Sequence, residues 1–430
     1  MNRILIKNAK CRGEKNRCDI LIEDGRFKEV KKSIAINQQT QNINTQVIDV
    51  AGNLVTPPFV DPHVHLDAVL VAGKLPRGNV SGTLLEAIEV WGEWKAQLTD
   101  EILMDNAREV MKWYVANGVL RVRTHADCTD KTLRTVKCLL ALREEMKDII
   151  DIQVVAFPQN GIFTDRKNVD LLKESLEMGA DVIGGAPHIE FTREDGVREV
   201  ELIYDLAEKY NRLIDIHIDE TGDPHSRFVE VMAKESIVRG VGDKATASHT
   251  TAMHNYNNDY AFKLISNIAK SRIHMITNPF DNSVLQNRTD GYPRKRGHTR
   301  VDELLTAGVN VSIGHDSIMD PWYSMGKGSM LAAANLLMHM AHMNGGSQVI
   351  QLFDMITGNS AKVMKLENYG IYVGGQADLV VLDAGSEEEA IRLGSECLFV
   401  IRKGEIVCET QPAKRKLHWR GEASQVDFKV

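Results

Sequence analysis

His63 and His65 stand one residue apart in Val60-Asp61-Pro62-His63-Val64-His65-Leu66-Asp67, directly after the run Leu54-Val55-Thr56-Pro57-Pro58-Phe59. In an extended strand, residues two apart point to the same face. Two imidazoles on one face at the end of an apolar strand can hold one metal ion. The pair alone is a modest signal, because a single histidine is most often a packed or surface group. Its weight comes from His217 and Asp316, which end later apolar runs. Together His63, His65, His217 and Asp316 supply three nitrogens and one carboxylate. Those donors suit one divalent transition metal per chain, Zn2+ or Fe2+, with an open position for hydrolysis. A metal of this kind lowers the pKa of bound water from about 15.7 to about 7.

Other polar residues sit where they could serve such a centre. Glu220 follows His217 by three residues in His217-Ile218-Asp219-Glu220, a good place for a proton relay. A carboxylate there is also an ordinary helix N-terminal charge. His249, in Ser248-His249-Thr250-Thr251, could take a proton from the metal's water. Gln159, in Phe157-Pro158-Gln159-Asn160, offers a donor and an acceptor that can read an amide-like ring edge. His125 and His188 also end apolar runs, and supporting or packing roles suit them best.

Elements with a regular spacing must carry these groups. Eight short apolar runs read as strands buried on both faces: Leu54–Phe59, Val119–Thr124, Ile152–Phe157, Val182–Ala186, Leu213–Ile216, Ala245–Ser248, His274–Thr277 and Val309–Ile313. Amphipathic helical patterns lie between them, among them Glu101–Asn117, Lys131–Lys147, Arg198–Tyr210 and Tyr260–Lys270. The strand ends carry His65, His125, Gln159, His188, His217, His249, Asn278 and Asp316, mostly about thirty residues apart, as repeated βα units require. Eight units make a (β/α)8 TIM barrel, whose active site lies at the C-terminal strand ends. A doubly wound sheet gathers its ligands at one switch point and fits less well. The longer first gap holds an extra helix, Leu84–Lys95.

The chain ends differ in style. Ile4–Lys7, Asp19–Ile22 and Phe27–Val30 read as strands, with a hairpin turn at Asp24-Gly25. Asp378–Leu382, Leu398–Arg402 and Glu405–Cys408 repeat the pattern, with a turn at Lys403-Gly404. Residues 1–58 and 373–430 are therefore expected to form one small β-sandwich domain beside a barrel of residues 59–372. Gln38–Thr45 reads as a polar loop.

A net charge of −7 gives no electrostatic footprint for nucleic acid. No apolar run approaches the roughly 20 residues of a membrane helix. The first residues lack a signal-peptide layout, and the six dispersed cysteines read as reduced thiols of a cytoplasmic protein.

Several segments together resemble the amidohydrolase superfamily and, within it, the bacterial cytosine deaminases. They are Pro62-His63-Val64-His65-Leu66-Asp67, Ala156-Phe157-Pro158-Gln159, His188-Ile189-Glu190-Phe191-Thr192-Arg193, His217-Ile218-Asp219-Glu220, Ala247-Ser248-His249-Thr250-Thr251-Ala252-Met253-His254, Gly314-His315-Asp316 and Asp320-Pro321-Trp322. The likeness spans nearly the whole chain. His-x-His marks only the superfamily, while the Phe-Pro-Gln, Ser-His-Thr-Thr-Ala-Met-His and Asp-Pro-Trp segments are more specific. The resemblance implies one metal on His63, His65, His217 and Asp316, with Glu220, His249 and Asp316 handling protons. It implies that Gln159 reads a free nucleobase, in a pocket to which Ser317, Trp322 and Leu84 also belong. It further implies a homo-oligomer. The signature of the smaller zinc deaminases, H-x-E with P-C-x-x-C, is absent.

The implied reaction is attack of water on C4 of a cytosine-type base, protonation at N3 by Glu220, and loss of ammonia. One departure bears on the substrate. Family members that act on cytosine carry two consecutive aspartates after the strand-eight histidine, whereas this chain reads His315-Asp316-Ser317. Ser317 would leave space and remove a carboxylate near the C5/C6 edge, which favours 5-methylcytosine over cytosine. The strand-seven loop Asn278–Ser283 departs as well. The alternatives are plain cytosine and another amino-heterocycle such as isoguanine. Cyclic-amide hydrolysis at two metals bridged by a strand-four lysine is disfavoured, since Ala186-Pro187-His188 holds no lysine.

Overall fold

The computed structural model describes residues 3–35, 45–75 and 77–429. Most of the sequence expected to be loop at Gln38–Thr45 lies outside them; Thr45 itself opens a strand, β4 (Thr45–Asp49). Three strands precede it: β1 (Arg3–Cys11), β2 (Cys18–Glu23) and β3 (Arg26–Lys31).

The run Leu54–Phe59 is not one barrel strand. Leu54–Thr56 forms β5 in the outer sheet, and the first barrel strand is β6 (Phe59–Val64). Pro57 and Pro58 divide them, because proline has no N–H for a ladder and its ring restricts the residue before it. The remaining barrel strands are β7 (Val119–Asp127), β8 (Asp151–Phe157), β9 (Val182–Gly185), β10 (Leu213–Ile218), β11 (Ala245–His249), β12 (His274–Thr277) and β13 (Val311–Ile313). They pair in chain order, each parallel to the next. A parallel bridge between Val64 and Asp316 joins the last unit to the first. His65 N–H donates to Asp316 O at 3.0 Å, and Asp316 N–H to His63 O at 2.8 Å. The result is a nearly closed (β/α)8 barrel, an α/β fold.

Several helices begin where a side chain caps them. Thr99 accepts from Ile102 N–H at the start of Asp100–Ala116. Thr192 accepts from Asp195 N–H and starts Arg193–Tyr210 earlier than its apolar periodicity indicates. The helix Leu84–Lys95 fills the long first gap, capped by Thr83. Its inner side is held by Trp91, whose Nε1–H donates to Asp127 at 3.2 Å, and by Lys95, 2.5 Å from the same carboxylate.

Both chain ends enter one eight-stranded sheet outside the barrel, in the order β16-β15-β14-β5-β1-β2-β3 with β4 on β1. Its C-terminal strands are β14 (Leu379–Leu382), β15 (Cys397–Arg402) and β16 (Glu405–Glu409). β1 serves two halves: Arg3–Ile6 and Ala9 pair with β2 and Arg3–Lys7 with β4, while Lys10–Cys11 pair with β5. Ile4, Ile20, Phe27, Val55, Leu379, Val381 and Ile401 from both halves share a core separate from the barrel's. A further hairpin, β17 (Arg415–Trp419) with β18 (Glu422–Val426), follows.

One cysteine expectation is corrected here. Cys11 and Cys18 are joined as a disulfide across the β1–β2 hairpin. They are only seven residues apart, and antiparallel pairing brings them together where no CxxC spacing announces it. Cys128, Cys138, Cys397 and Cys408 are free thiols. No helix among the described residues is long and apolar enough to cross a membrane.

Candidate active site

The histidine pair leaves β6 with its backbone pinned by a buried carboxyl. Asp61 accepts the N–H groups of His63 and His315, each at 3.1 Å, and the Tyr114 hydroxyl at 2.5 Å. Burial pushes Asp61 up to about 7. One side chain thus ties the first strand to the last, directly below the site. Sequence reasoning missed Asp61, although it lies in the quoted His-x-His segment.

The four residues expected to hold a metal come together and are buried. His65 Nε2 lies 3.0 Å from His217 Nε2. His63 Nε2 and His65 Nε2 each lie 3.4 Å from Asp316 Oδ1. Burial, followed by neighbouring imidazoles, holds His63, His65 and His217 well below the usual histidine range. The rings are therefore neutral, with lone pairs available. His63 Nε2 has no hydrogen-bond partner, a costly arrangement for a buried nitrogen unless something else fills its lone pair. Neutral, convergent nitrogens, that of His63 without a partner, beside a carboxylate fit one divalent cation. His249 approaches the same point: it, His63, His217 and Asp316 place ligand atoms within 4.8 Å of one another, as do His63, His65 and His125.

The tautomer of His63 follows from its other nitrogen. Ser248 donates to Asp215 Oδ1 at 2.6 Å, so its oxygen accepts from His63 Nδ1–H at 3.0 Å. Nε2 is then the free lone pair of His63. Fully buried Arg123 compensates Asp215 with a hydrogen bond of 2.8 Å. A histidine whose second nitrogen donates into a carboxylate-backed chain is the usual way to orient a metal ligand.

The residues expected to handle protons line the other side. Glu220 Oε1 is 3.5 Å from His249 Nδ1, and its Oε2 is 3.9 Å from His188 Nε2. His249 Nε2 is 3.8 Å from Asp316 Oδ2. Asn282 donates to His249 Nδ1 at 3.0 Å, and Asn278 lies 3.2 Å from Nε2. Burial, then the charge of Asp281, pushes Glu220 well above the carboxylate range, as a proton donor needs. His249 and Asp316 both have positive φ, 69° and 71°, a costly backbone state for such residues that clusters at functional sites. His125 is buried among the imidazoles, with its ring 4.1 Å from that of His63.

Leu84, Gln159, Ser317 and Trp322 line the same pocket as His65, His217, Glu220, His249 and Asp316. Trp322 stacks on His65 with ring centres 6.1 Å apart. Its loop is turned by Asp320, which accepts from Trp322 and Tyr323 N–H at 2.9 Å each. Asp281 and Leu285 complete the lining and were not singled out from the sequence. Ser317 donates to Asp281 Oδ2 at 2.5 Å. The expectation that Ser317 removes a carboxyl from this side therefore needs amending, because the loop after β12 supplies one.

A (β/α)8 barrel with a buried histidine and carboxylate cluster at its C-terminal strand ends defines a metal-binding hydrolase. The chain belongs to the amidohydrolase family, whose model matches residues 46–408. It is 31% identical over 415 residues to N-isopropylammelide isopropyl amidohydrolase of Pseudomonas sp. (strain ADP), covering 95% of this chain and 98% of that one. It is 27% identical to pterin deaminase of Rhizobium rhizogenes, covering 93% and 90%. Among solved structures it is similar to 5-methylcytosine deaminase from Klebsiella pneumoniae liganded with 5-fluorocytosine, with 41% identity, a TM-score of 0.91, and coverage of 95% and 98%.

Proposed function

We propose that this chain is a hydrolytic deaminase of a free cytosine-type base. It releases ammonia and the uracil analogue, and it prefers 5-methylcytosine, which becomes thymine. The observation that carries this is one pocket that unites a metal-type donor cluster, a buried Glu220 beside His249, and the amide of Gln159. Whole-length similarity to a 5-methylcytosine deaminase at 41% identity supports the substrate class.

His63, His65, His217 and Asp316 hold one divalent metal, Zn2+ or Fe2+, which when bound makes water nucleophilic near neutral pH. The chain's own groups do the rest. Gln159 orients the base by its carbonyl and N–H edge. Glu220 delivers a proton to N3, which lowers the ring's resistance to attack at C4. His249, held by Asn278 and Asn282 beside Glu220 and Asp316, carries one proton of the attacking water to the departing amine, and the second, released as the C4 carbonyl forms, returns to Glu220. Trp322 and Leu84 cover the base and exclude bulk water. Ser317, drawn onto Asp281, leaves room beside C5 for a methyl group. We place the enzyme as a homo-oligomer acting on small molecules.

The test is ammonia release from a panel of amino-pyrimidines and amino-purines by metal-loaded and metal-stripped protein. Turnover of 5-methylcytosine and cytosine by the loaded form alone is expected. Activity on isoguanine or a pterin and on no pyrimidine would replace this proposal with the bicyclic alternative, which similarity to a pterin deaminase keeps in view.

A further inference from the structure

Gln159 lies on the loop after β8, two residues past Phe157, where pairing with β7 ends. The β8–β9 ladder pairs only Val155 with Val182 and Ala156 with Ile183. Past Ala156 the two chains are joined instead through side-chain carboxyls. Glu190, after β9, accepts from Ile162 N–H at 2.6 Å and Phe163 N–H at 2.8 Å through one oxygen. Glu199, fully buried in the helix Arg193–Tyr210, accepts from Ala186 N–H at 2.6 Å and from Ile162 N–H at 3.4 Å. The two carboxyls share Ile162 N–H as a donor, Glu190 at 2.6 Å and Glu199 at 3.4 Å. Burial, then Glu190, pushes Glu199 well above the carboxylate range.

The backbone fits this contact closely. Gly161 has φ +84°, and a Cβ there would sit 3.1 Å from Glu190 Oε1 and 3.0 Å from Thr164 Cγ2. A side chain at position 161 would be strained and would press on the carboxylate. Neither glutamate is among the residues that line the pocket.

We infer that the Glu190–Glu199 carboxyl pair is a positioning device for Gln159, clamping the loop after β8 onto the segment after β9. The inference rests on the role proposed for Gln159. The pair fixes Ile162 and Phe163, three and four residues beyond the amide, and so fixes where the amide meets the base. The same segment after β9 carries His188, next to Glu220, so the clamp ties the base-reading loop to the acid–base side of the site.

The test is steady-state kinetics on 5-methylcytosine with a double-variant cycle. Gln159→Ala should raise KM about tenfold, the loss expected for one or two neutral hydrogen bonds. Glu190→Ala should raise KM similarly with kcat within about twofold, the signature of lost ground-state binding. Glu190→Gln, which keeps an acceptor for both N–H groups, should restore most of that loss. In the Gln159→Ala background, Glu190→Ala should add nothing. Amide hydrogen exchange at Ile162 and Phe163 should quicken in Glu190→Ala. If that variant does not fold, Gly161→Ala, which presses on the carboxylate without hollowing the core, should show the same KM rise. An effect of Gln159→Ala with none from Glu190→Ala or Gly161→Ala would overturn the clamp and leave the deaminase proposal standing. So would full multiplication of the effects in the double variant. No effect of Gln159→Ala would remove the role of Gln159, and the clamp with it.

Discussion

Replacing Ser248 with alanine removes one hydroxyl from a buried chain that ends on a proposed metal ligand. Ser248 Oγ bridges His63 Nδ1 at 3.0 Å and Asp215 Oδ1 at 2.6 Å. Asp215 keeps Arg123 at 2.8 Å, so its charge stays compensated and the fold should survive. His63 loses the acceptor that fixes its tautomer and ring angle, and Nε2 is then aimed only by packing. Loss of such an outer partner costs about 10–100-fold in metal affinity, or about 1.4–2.7 kcal/mol at about 1.36 per decade. The assay is titration of stripped protein with Zn2+ against a chromophoric chelator, alongside turnover at saturating metal. The account expects a weakened Kd in that range, with turnover largely recovered by excess metal. A Kd within twofold of the parent would show that Ser248 does not orient His63 and would refute the reasoning.

Other outcomes follow from the same geometry. Glu220→Gln should retain the metal, measured by elemental analysis, yet lose about 10²–10⁴-fold in kcat, as removal of a general acid does. Ser317→Asp should move the ratio of kcat/KM values from 5-methylcytosine toward cytosine by about 10–200-fold, because a second carboxyl beside Asp281 fills the methyl niche; an unmoved ratio in competition assays places specificity elsewhere. Asp378 joins the outer sheet to the barrel through Arg121 at 2.6 Å and Arg402 at 2.7 Å. Burial raises its pKa, but the two guanidiniums outweigh this and hold the carboxyl below its usual range. Its contribution is therefore present above about pH 4 and fades as pH falls through the lowered value. Asp378→Ala should cost about 1–3 kcal/mol in urea unfolding at pH 7, since Arg121 and Arg402 both keep Asp151, and less in acid.

Much of the barrel could be read from the sequence because parallel strands buried on both faces appear as short apolar runs, each closed by one polar residue. The first strand was misplaced because Leu54–Phe59 stays apolar across two different sheets, and only Pro57-Pro58 marks the change. The residues that meet at the site but were not singled out depend on distant partners. Asp281 acquires its meaning from Ser317, 36 residues on, and Asp61 from His315, 254 residues on. The Cys11–Cys18 pairing likewise needs the hairpin register, which spacing alone does not provide. Glu190 and Glu199 look like ordinary helix-start charges until Ile162 and Phe163 are seen donating to them.

The most direct test of the central claim is to run the reaction with 5-methylcytosine in 18O-enriched water and weigh the product. The account predicts thymine carrying one solvent oxygen, released with one equivalent of ammonia, by metal-loaded protein only. Intact 5-methylcytosine, or thymine formed equally by metal-stripped protein, would contradict it.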